Sequence, residues 1–231
     1  MKRLDQFLSQ LKYGSRKEVN ELIKKKIVKI NQNRVLDGKT KFDPLRSIVT
    51  IDGTEVYYRE NIYLMMNKPS GYLSSNIDEK YPSVLNLLED KYKRFDFKIA
   101  GRLDWDSEGL LILVTESKLV HEITHPSKNK EKIYKVKLDK AYDETLTTEL
   151  LDGVMIKDGN NEIYKAIATF VRKENEDVLI GITEGKFHQV KRMFEKIGYK
   201  VEKLTRIQVG NLKLGSLKLG ETKEITRNEL F

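Results

Sequence analysis

Ala100-Gly101-Arg102-Leu103-Asp104-Trp105-Asp106-Ser107-Glu108-Gly109-Leu110-Leu111-Ile112-Leu113-Val114-Thr115 joins a polar loop to an unbroken apolar run. Leu110 to Val114, ended by Thr-Glu-Ser-Lys, has the length and composition of a strand buried on both faces. The loop before it carries one arginine and three acids, bracketed by Gly101 and Gly109, which permit tight backbone turns. A carboxylate-rich loop is thereby fixed to the most buried strand in the chain, the rigid support that a reactive polar group needs. If Gly101 to Asp104 is extended, Arg102 and Asp104 point to the same side, and the guanidinium favours an ionised Asp104. Asp104 then suits a nucleophile or base rather than an acid. A solvated Arg–Asp pair on a turn is the simpler reading of the same two residues.

Calcium is the rival use of these acids. Asp104, Asp106, Glu108 and Gly109 follow the first half of an EF-hand loop. The pattern then fails: Thr115 stands where the closing Glu is required, and a strand-like run follows where a helix should start.

The chain has 231 residues, enough for one large domain or a small and a medium one. With 39% hydrophobic and 34% charged residues it reads as soluble and globular. No apolar run approaches transmembrane length, and Met1-Lys2-Arg3-Leu4-Asp5 lacks the apolar core of a signal peptide, so a cytoplasmic location is expected. With no cysteine, disulfides, thiolate metal sites and cysteine nucleophiles are excluded. His121, His125 and His188 lack metal-ligand spacing, and no metal is expected. The 43 Lys and Arg against 35 Asp and Glu leave a net charge of +8, which favours a polyanionic partner, nucleic acid before membrane.

Near the start, Leu4, Phe7, Leu8 and Leu11 form one face of a short helix, ended by Gly14. Ser15-Arg16-Lys17-Glu18 reads as a capping box opening a second helix. Its apolar side is Val19, Leu22 and Ile23, while Arg16, Lys17, Lys24, Lys25 and Lys26 stay outside. Ile27 to Asn31 and Ser47 to Asp52 read as strands, the second closed by an Asp52-Gly53 turn. Such cations would grip phosphates and set affinity rather than sequence choice.

Further on, Ile62 to Met66 reads as a strand followed by the turn Asn67-Lys68-Pro69-Ser70-Gly71. Lys68 is a candidate contact to RNA backbone, or else a solvated turn lysine. Ser83 is expected to cap a helix containing Leu85, Leu87 and Leu88. Leu119 to Ile123 reads as a short helix, and Thr124-His125-Pro126-Ser127 as a turn. Glu131 to Leu138 alternates, which points Tyr134 inward. Ile163–Val171 and Val178–Thr183 read as a hairpin. Phe187, Val190, Met193, Phe194 and Ile197 are expected on one helix face, with Gly198 ending the helix and Lys191 on its flank. Strand-like runs fill Val201 to Phe231, with Thr226 capping a last turn.

Gly101-Arg102-Leu103-Asp104 with Ser107-Glu108-Gly109-Leu110-Leu111 resembles the signature of the RsuA/RluB/E/F family of pseudouridine synthases. Glu184-Gly185 with His188-Gln189-Val190-Lys191-Arg192-Met193 resembles a second motif of that family. Asn67-Lys68-Pro69-Ser70-Gly71 and Glu131-Lys132-Ile133-Tyr134 match two more, in the same order. Arg3-Leu4-Asp5, Ser15-Arg16 and Val28-x-Ile30-Asn31 resemble the S4 RNA-binding domain, with Lys26 and Gln32 standing where that domain usually has glycine.

The resemblance spans essentially the whole chain. It implies an α+β protein: a small N-terminal S4-like (αL) RNA-binding domain, residues 1–58, and a catalytic domain, residues 61–231, with a mixed, mainly antiparallel sheet. It implies isomerisation of uridine to pseudouridine in ribosomal RNA without metal or cofactor, by a monomer whose partner is ribosomal RNA or a small-subunit assembly intermediate. The target expected is uridine 516 of 16S RNA. A large-subunit (23S) substrate and a non-catalytic assembly factor are the alternatives. The resemblance assigns Asp104 the central chemical role and stacks Tyr134 on the target base. Lys191, where related families have Arg or Lys, would keep Asp104 ionised, though it lacks the bidentate fork of arginine. Arg102 would fill the vacated stack or bind an adjacent phosphate.

Overall fold

The computed structural model describes residues 1–125 and 130–231; the part of the expected turn at Pro126 and Ser127 lies outside the described residues. The chain divides into two compact units, one of Met1–Asn61 with Glu89–Asp96, the other of Ile62–Leu88 with Phe97–Phe231.

In the first unit the elements are β1 (Lys2–Arg3), α1 (Leu4–Gln10), α2 (Arg16–Lys25), β2 (Val28–Ile30), β3 (Asn33–Arg34), β4 (Lys41–Phe42), β5 (Val49–Ile51) and β6 (Thr54–Glu55). Ser15 and Glu18 cap α2 reciprocally: Ser15 Oγ accepts from the Glu18 amide, and Glu18 accepts from the Ser15 amide. Strands order β3-β2-β5-β6, and Asn31 and Gln32 turn β2 into β3 with positive φ at both residues. The Gln where the S4 pattern has Gly thus keeps the left-handed backbone that glycine adopts without strain. Leu4, Phe7, Leu8, Val19, Ile23, Val28 and Phe42 form the core, with Phe7 edge-on to Phe42 at 5.0 Å. The Glu89–Asp96 segment joins this unit through Tyr92 and Phe95, edge-on to Tyr57, and through a 2.6 Å ion pair between Asp96 and Lys12. A linear division of the chain cannot assign such a returning segment.

The second unit contains β7 (Tyr63–Lys68), β8 (Lys98–Ala100), β9 (Glu108–Val114), α3 (Ser117–Thr124), β10 (Lys132–Leu138), α4 (Thr147–Asp152), β11 (Val154–Lys157), β12 (Ile163–Ala166), β13 (Phe170–Glu174), β14 (Asp177–Ile182), α5 (Gln189–Lys196), β15 (Val201–Val209), β16 (Leu212–Lys213) and β17 (Thr222–Ile225). Among the described residues nine strands form one sheet, in the order β13-β14-β10-β15-β9-β7-β17, with β16 on β15 and β8 on β9. The β9–β15 pair is parallel and the others antiparallel, so the sheet is mixed and mainly antiparallel. Leu110 to Val114 are buried throughout, as a strand covered on both faces requires. Ala100, Leu110, Ile112 and Val114 pack with Leu119 and Ile123 of α3.

Three expectations are corrected. Residues 163–171 and 178–183 are not one hairpin: β12 pairs back with β11, and β13 alone pairs with β14. Alternation marks a strand but does not name its partner. After Ser83 the chain makes one 3-10 turn, Val84–Leu87, rather than an α-helix. Phe187 is exposed and outside α5, because His188 adopts φ +53° and starts the helix only at Gln189.

Candidate active site

The acidic loop 100–109 is held from behind by two buried cations. Lys68, at the end of β7, is completely buried although it precedes a Pro-Ser-Gly turn. Its Nζ donates to the carbonyls of Ser107 at 2.7 Å, Asp104 at 2.9 Å, Pro69 at 3.1 Å and Trp105 at 3.3 Å. Burial pushes this ammonium down to about 8, against the pull of Asp106, Asp104 and Glu108. The expected contact between Lys68 and RNA backbone is therefore corrected: its donors are committed to main-chain oxygens inside the fold.

Arg206 in β15 is the second support. Its guanidinium donates to the carbonyls of Leu110 at 2.9 Å, Gly101 at 3.1 Å and Arg102 at 3.3 Å. Arg206 lies level with Gly109 in the parallel pair, and a Cβ at Gly109 would stand 2.2 Å from the Arg206 carbonyl oxygen. Glycine with φ +105° is what lets the loop enter β9 there. Ser74 completes the frame, its hydroxyl accepting from the Leu103 amide and donating to the Leu103 carbonyl.

The front of the loop carries the reactive groups. Asp104, with its side chain 23% exposed, lies 3.3 Å from Lys191 Nζ and 3.4 Å from His188 Nε2. Lys191 also pairs with Asp106, at 2.6 Å. One ammonium thus serves two carboxylates and is closer to the second. Arg102 is exposed and lines the same cleft as Asp104. Tyr134 is buried, as the alternation of its strand demands. A register shift beside it in the β10–β15 pair brings it level with Arg206, so Tyr134, Arg206 and Gly109 lie on three successive strands. Asp104, Tyr134 and His188 line one cleft of about 780 Å³, with Lys132, Trp105 and Phe187.

Lys132 donates to the Thr183 carbonyl at 2.6 Å, and burial, then the charge of Arg206, push it down to about 8. The 183–189 loop is folded around the buried amide of Gln189, which accepts from the Lys186 amide and donates to Glu184. Arg16, Lys17, Lys24 and Lys25 all stand exposed on α2 in the first unit. His188, Asp106, Lys132 and Arg206 were not among the residues expected at the site. The available signal for Arg206 was its phase: it alternates inward with Leu204 along β15.

A carboxylate held in an aromatic- and cation-lined cleft, with a separate cationic helix–strand module, is an arrangement that suits an enzyme acting on a polyanion. Residues 62–196 match the RNA pseudouridylate synthase family, and residues 2–44 match the S4 domain. The chain is 40% identical over 230 residues to YtzG of Bacillus subtilis (strain 168), described as an uncharacterized RNA pseudouridine synthase, covering 99% of this chain and 96% of that one. It is 34% identical over 212 residues to the ribosomal small subunit pseudouridine synthase A of Vibrio vulnificus (strain CMCP6), covering 92% and 90%. A crystal structure of a pseudouridylate synthase superposes with a TM-score of 0.66 at 30% identity, covering 100% of this chain and 98% of that one. The chain belongs to the RNA pseudouridine synthase family, and it is an isomerase acting on RNA. No helix among the described residues is long and apolar enough to cross a membrane.

Proposed function

We propose that the protein isomerises one uridine of small-subunit ribosomal RNA, uridine 516 of 16S RNA, in the cytoplasm, on the RNA or on an assembly intermediate. The observation that carries the chemistry is the Asp104 carboxylate, fixed at the cleft between Lys191 and His188. The small-subunit assignment is supported by the similarity to the Vibrio enzyme along nearly its whole length.

The target uridine must leave its stack to reach the cleft, at a cost of a few kcal/mol that is least in a loop. Asp104 then either attacks C1′ or removes the C2′ proton. By either route the N1–C1′ bond breaks, the uracil turns and C5 bonds to C1′, the Asp104–C1′ bond breaking as it forms or the C2′ proton being returned; C5 then gives up its proton and N1 gains one. Tyr134 holds the base face, and Lys191 is the counter-ion of Asp104. Arg102, exposed at the mouth, takes the vacated stack or an adjacent phosphate. Arg16, Lys17, Lys24 and Lys25 bind phosphates from α2.

The test is incubation with unmodified small-subunit RNA or its assembly intermediate, followed by carbodiimide labelling and primer extension. Wild type is expected to give one new stop and Asp104→Asn none. A stop that persists in Asp104→Asn rejects the site assignment. A stop on large-subunit RNA alone moves the substrate class, and binding without any stop favours an assembly factor.

A further inference from the structure

Trp105 follows Asp104 directly and is the chain's single tryptophan. It is 44% exposed, and it lines the same cleft as Asp104. Its indole is stacked on Tyr81, with ring centroids 4.4 Å apart and planes 5° from parallel. Tyr81 itself lies off the cleft wall. The ammonium of Lys80 stands 5.7 Å from the Tyr81 ring centroid.

The stack is not what secures the loop. The Trp105 carbonyl already accepts from the Gly71 amide at 2.7 Å and from Lys68 Nζ, and Ser74 and Arg206 hold the residues just before it. The indole is therefore a large apolar plate on a rigid backbone, supported by one ring and still open to solvent. Aromatic plates of this kind beside a cation are the elements that single-stranded nucleic acid uses for base stacking.

We propose that Trp105, backed by Tyr81, is a stacking platform for the base of the nucleotide next to the target uridine, with Lys80 near its phosphate. This rests on the assignment of Asp104 as the reacting carboxylate. It deepens that assignment by naming the substrate class: a uridine whose neighbour is unpaired and free to unstack. Every base has a π-face, so the platform selects for a single-stranded flank and not for a particular base.

Because Trp105 is the only tryptophan, its emission reports on this position alone. Full-length Asp104→Asn protein is titrated, at constant salt, with a short oligouridylate and with an abasic ribose-phosphate oligomer of the same length and charge. Emission is expected to be quenched by the first and unchanged by the second. In the wild-type background, Trp105→Ala is expected to raise KM for a small-subunit RNA transcript about tenfold, with a smaller change in kcat, and Trp105→Phe to restore most of the loss. Equal quenching by both oligomers, no quenching by either, or an unchanged KM in Trp105→Ala overturns the platform. If Trp105→Ala does not fold, the two titrations decide, since they use the intact indole. Pseudouridine formed by Asp104→Asn would instead sink the site assignment, while the base-dependent quench is read separately.

Discussion

Helix α2 in the first unit carries cations and the acidic loop in the second is supported by them, and the two regions dispose of that charge in opposite ways. Arg16, Lys17, Lys24 and Lys25 stand in solvent, where Lys24 makes a surface pair with Glu21 at 3.1 Å. Lys68 and Arg206 are buried, and their N–H groups saturate carbonyls of the loop that carries Asp104. In the first region charge is displayed to solvent. In the second it replaces the hydrogen bonds that an irregular buried backbone cannot make to itself. A lysine's count toward net charge therefore says nothing about which of these tasks it performs.

The largest effect that could break this contrast is at Lys68. Lys68→Met preserves much of the stem but removes the buried donor: the carbonyls of Pro69 and Ser107 lose the ammonium, while those of Asp104 and Trp105 keep the Ser107 and Gly71 amides. Buried acceptors left unpaired cost about 1–3 kcal/mol each, and these share one cation, so a loss of about 3 kcal/mol is expected rather than the sum. Urea unfolding at neutral pH, followed by circular dichroism, measures it. A variant within about 1 kcal/mol of wild type would mean that water can replace the ammonium and that Lys68 is no scaffold.

Lys68 also shows where reading from sequence stops. Strand β9 was legible because five apolar residues in a row need cover on both sides. Tyr134 was legible from alternation, and the caps at Ser15 and Thr226 from three-residue spacing, since all of these are local. The partner of β12, the return of Glu89–Asp96 to the first unit and the inward turn of Lys68 depend on what lies across the fold. So does the ammonium shared by Asp104 and Asp106: spacing suggested Arg102 as the neighbour of Asp104, and the fold supplies Lys191 and His188 from a distant helix start. Asp104 was singled out on its loop, but Lys191 was assigned to it only through a resemblance, and His188 was not expected beside it at all.

A smaller effect sharpens the comparison by titration. Lys132 is pushed down to about 8, chiefly by burial, from an unperturbed value of 10.5. Below the lower value both folded and unfolded chains hold this proton, and the buried charge weighs against folding. Between the two values the folded chain has released the proton while the unfolded chain keeps it, so this group's contribution to stability rises with pH. Lys132→Met lacks that contribution. The unfolding free energy of wild type minus that of Lys132→Met should therefore increase from pH 7 to pH 10, by on the order of 1 kcal/mol for a partly solvated group. Urea titrations at the two pH values measure the difference. A flat or falling difference would remove burial as the property that separates this lysine from those of α2.

The smallest effect on stability is expected where the charges are most numerous. Changing Arg16, Lys17, Lys24 and Lys25 together to Gln removes four exposed cations that support no carbonyl ladder in the fold, so each site should shift unfolding by no more than about 0.5 kcal/mol. Binding should respond differently. Each phosphate left without its cation lowers the slope of log affinity against log salt by about 0.7–0.9, so removing all four cations would flatten it by about 3. Filter binding of the full chain to small-subunit RNA across a salt series measures that slope. Stability retained with a flattened slope is the signature of displayed charge. An unchanged slope would mean that the phosphates are gripped elsewhere, and the cationic face of α2 would then be solvated surface, leaving the contrast between the two regions resting on the buried cations alone.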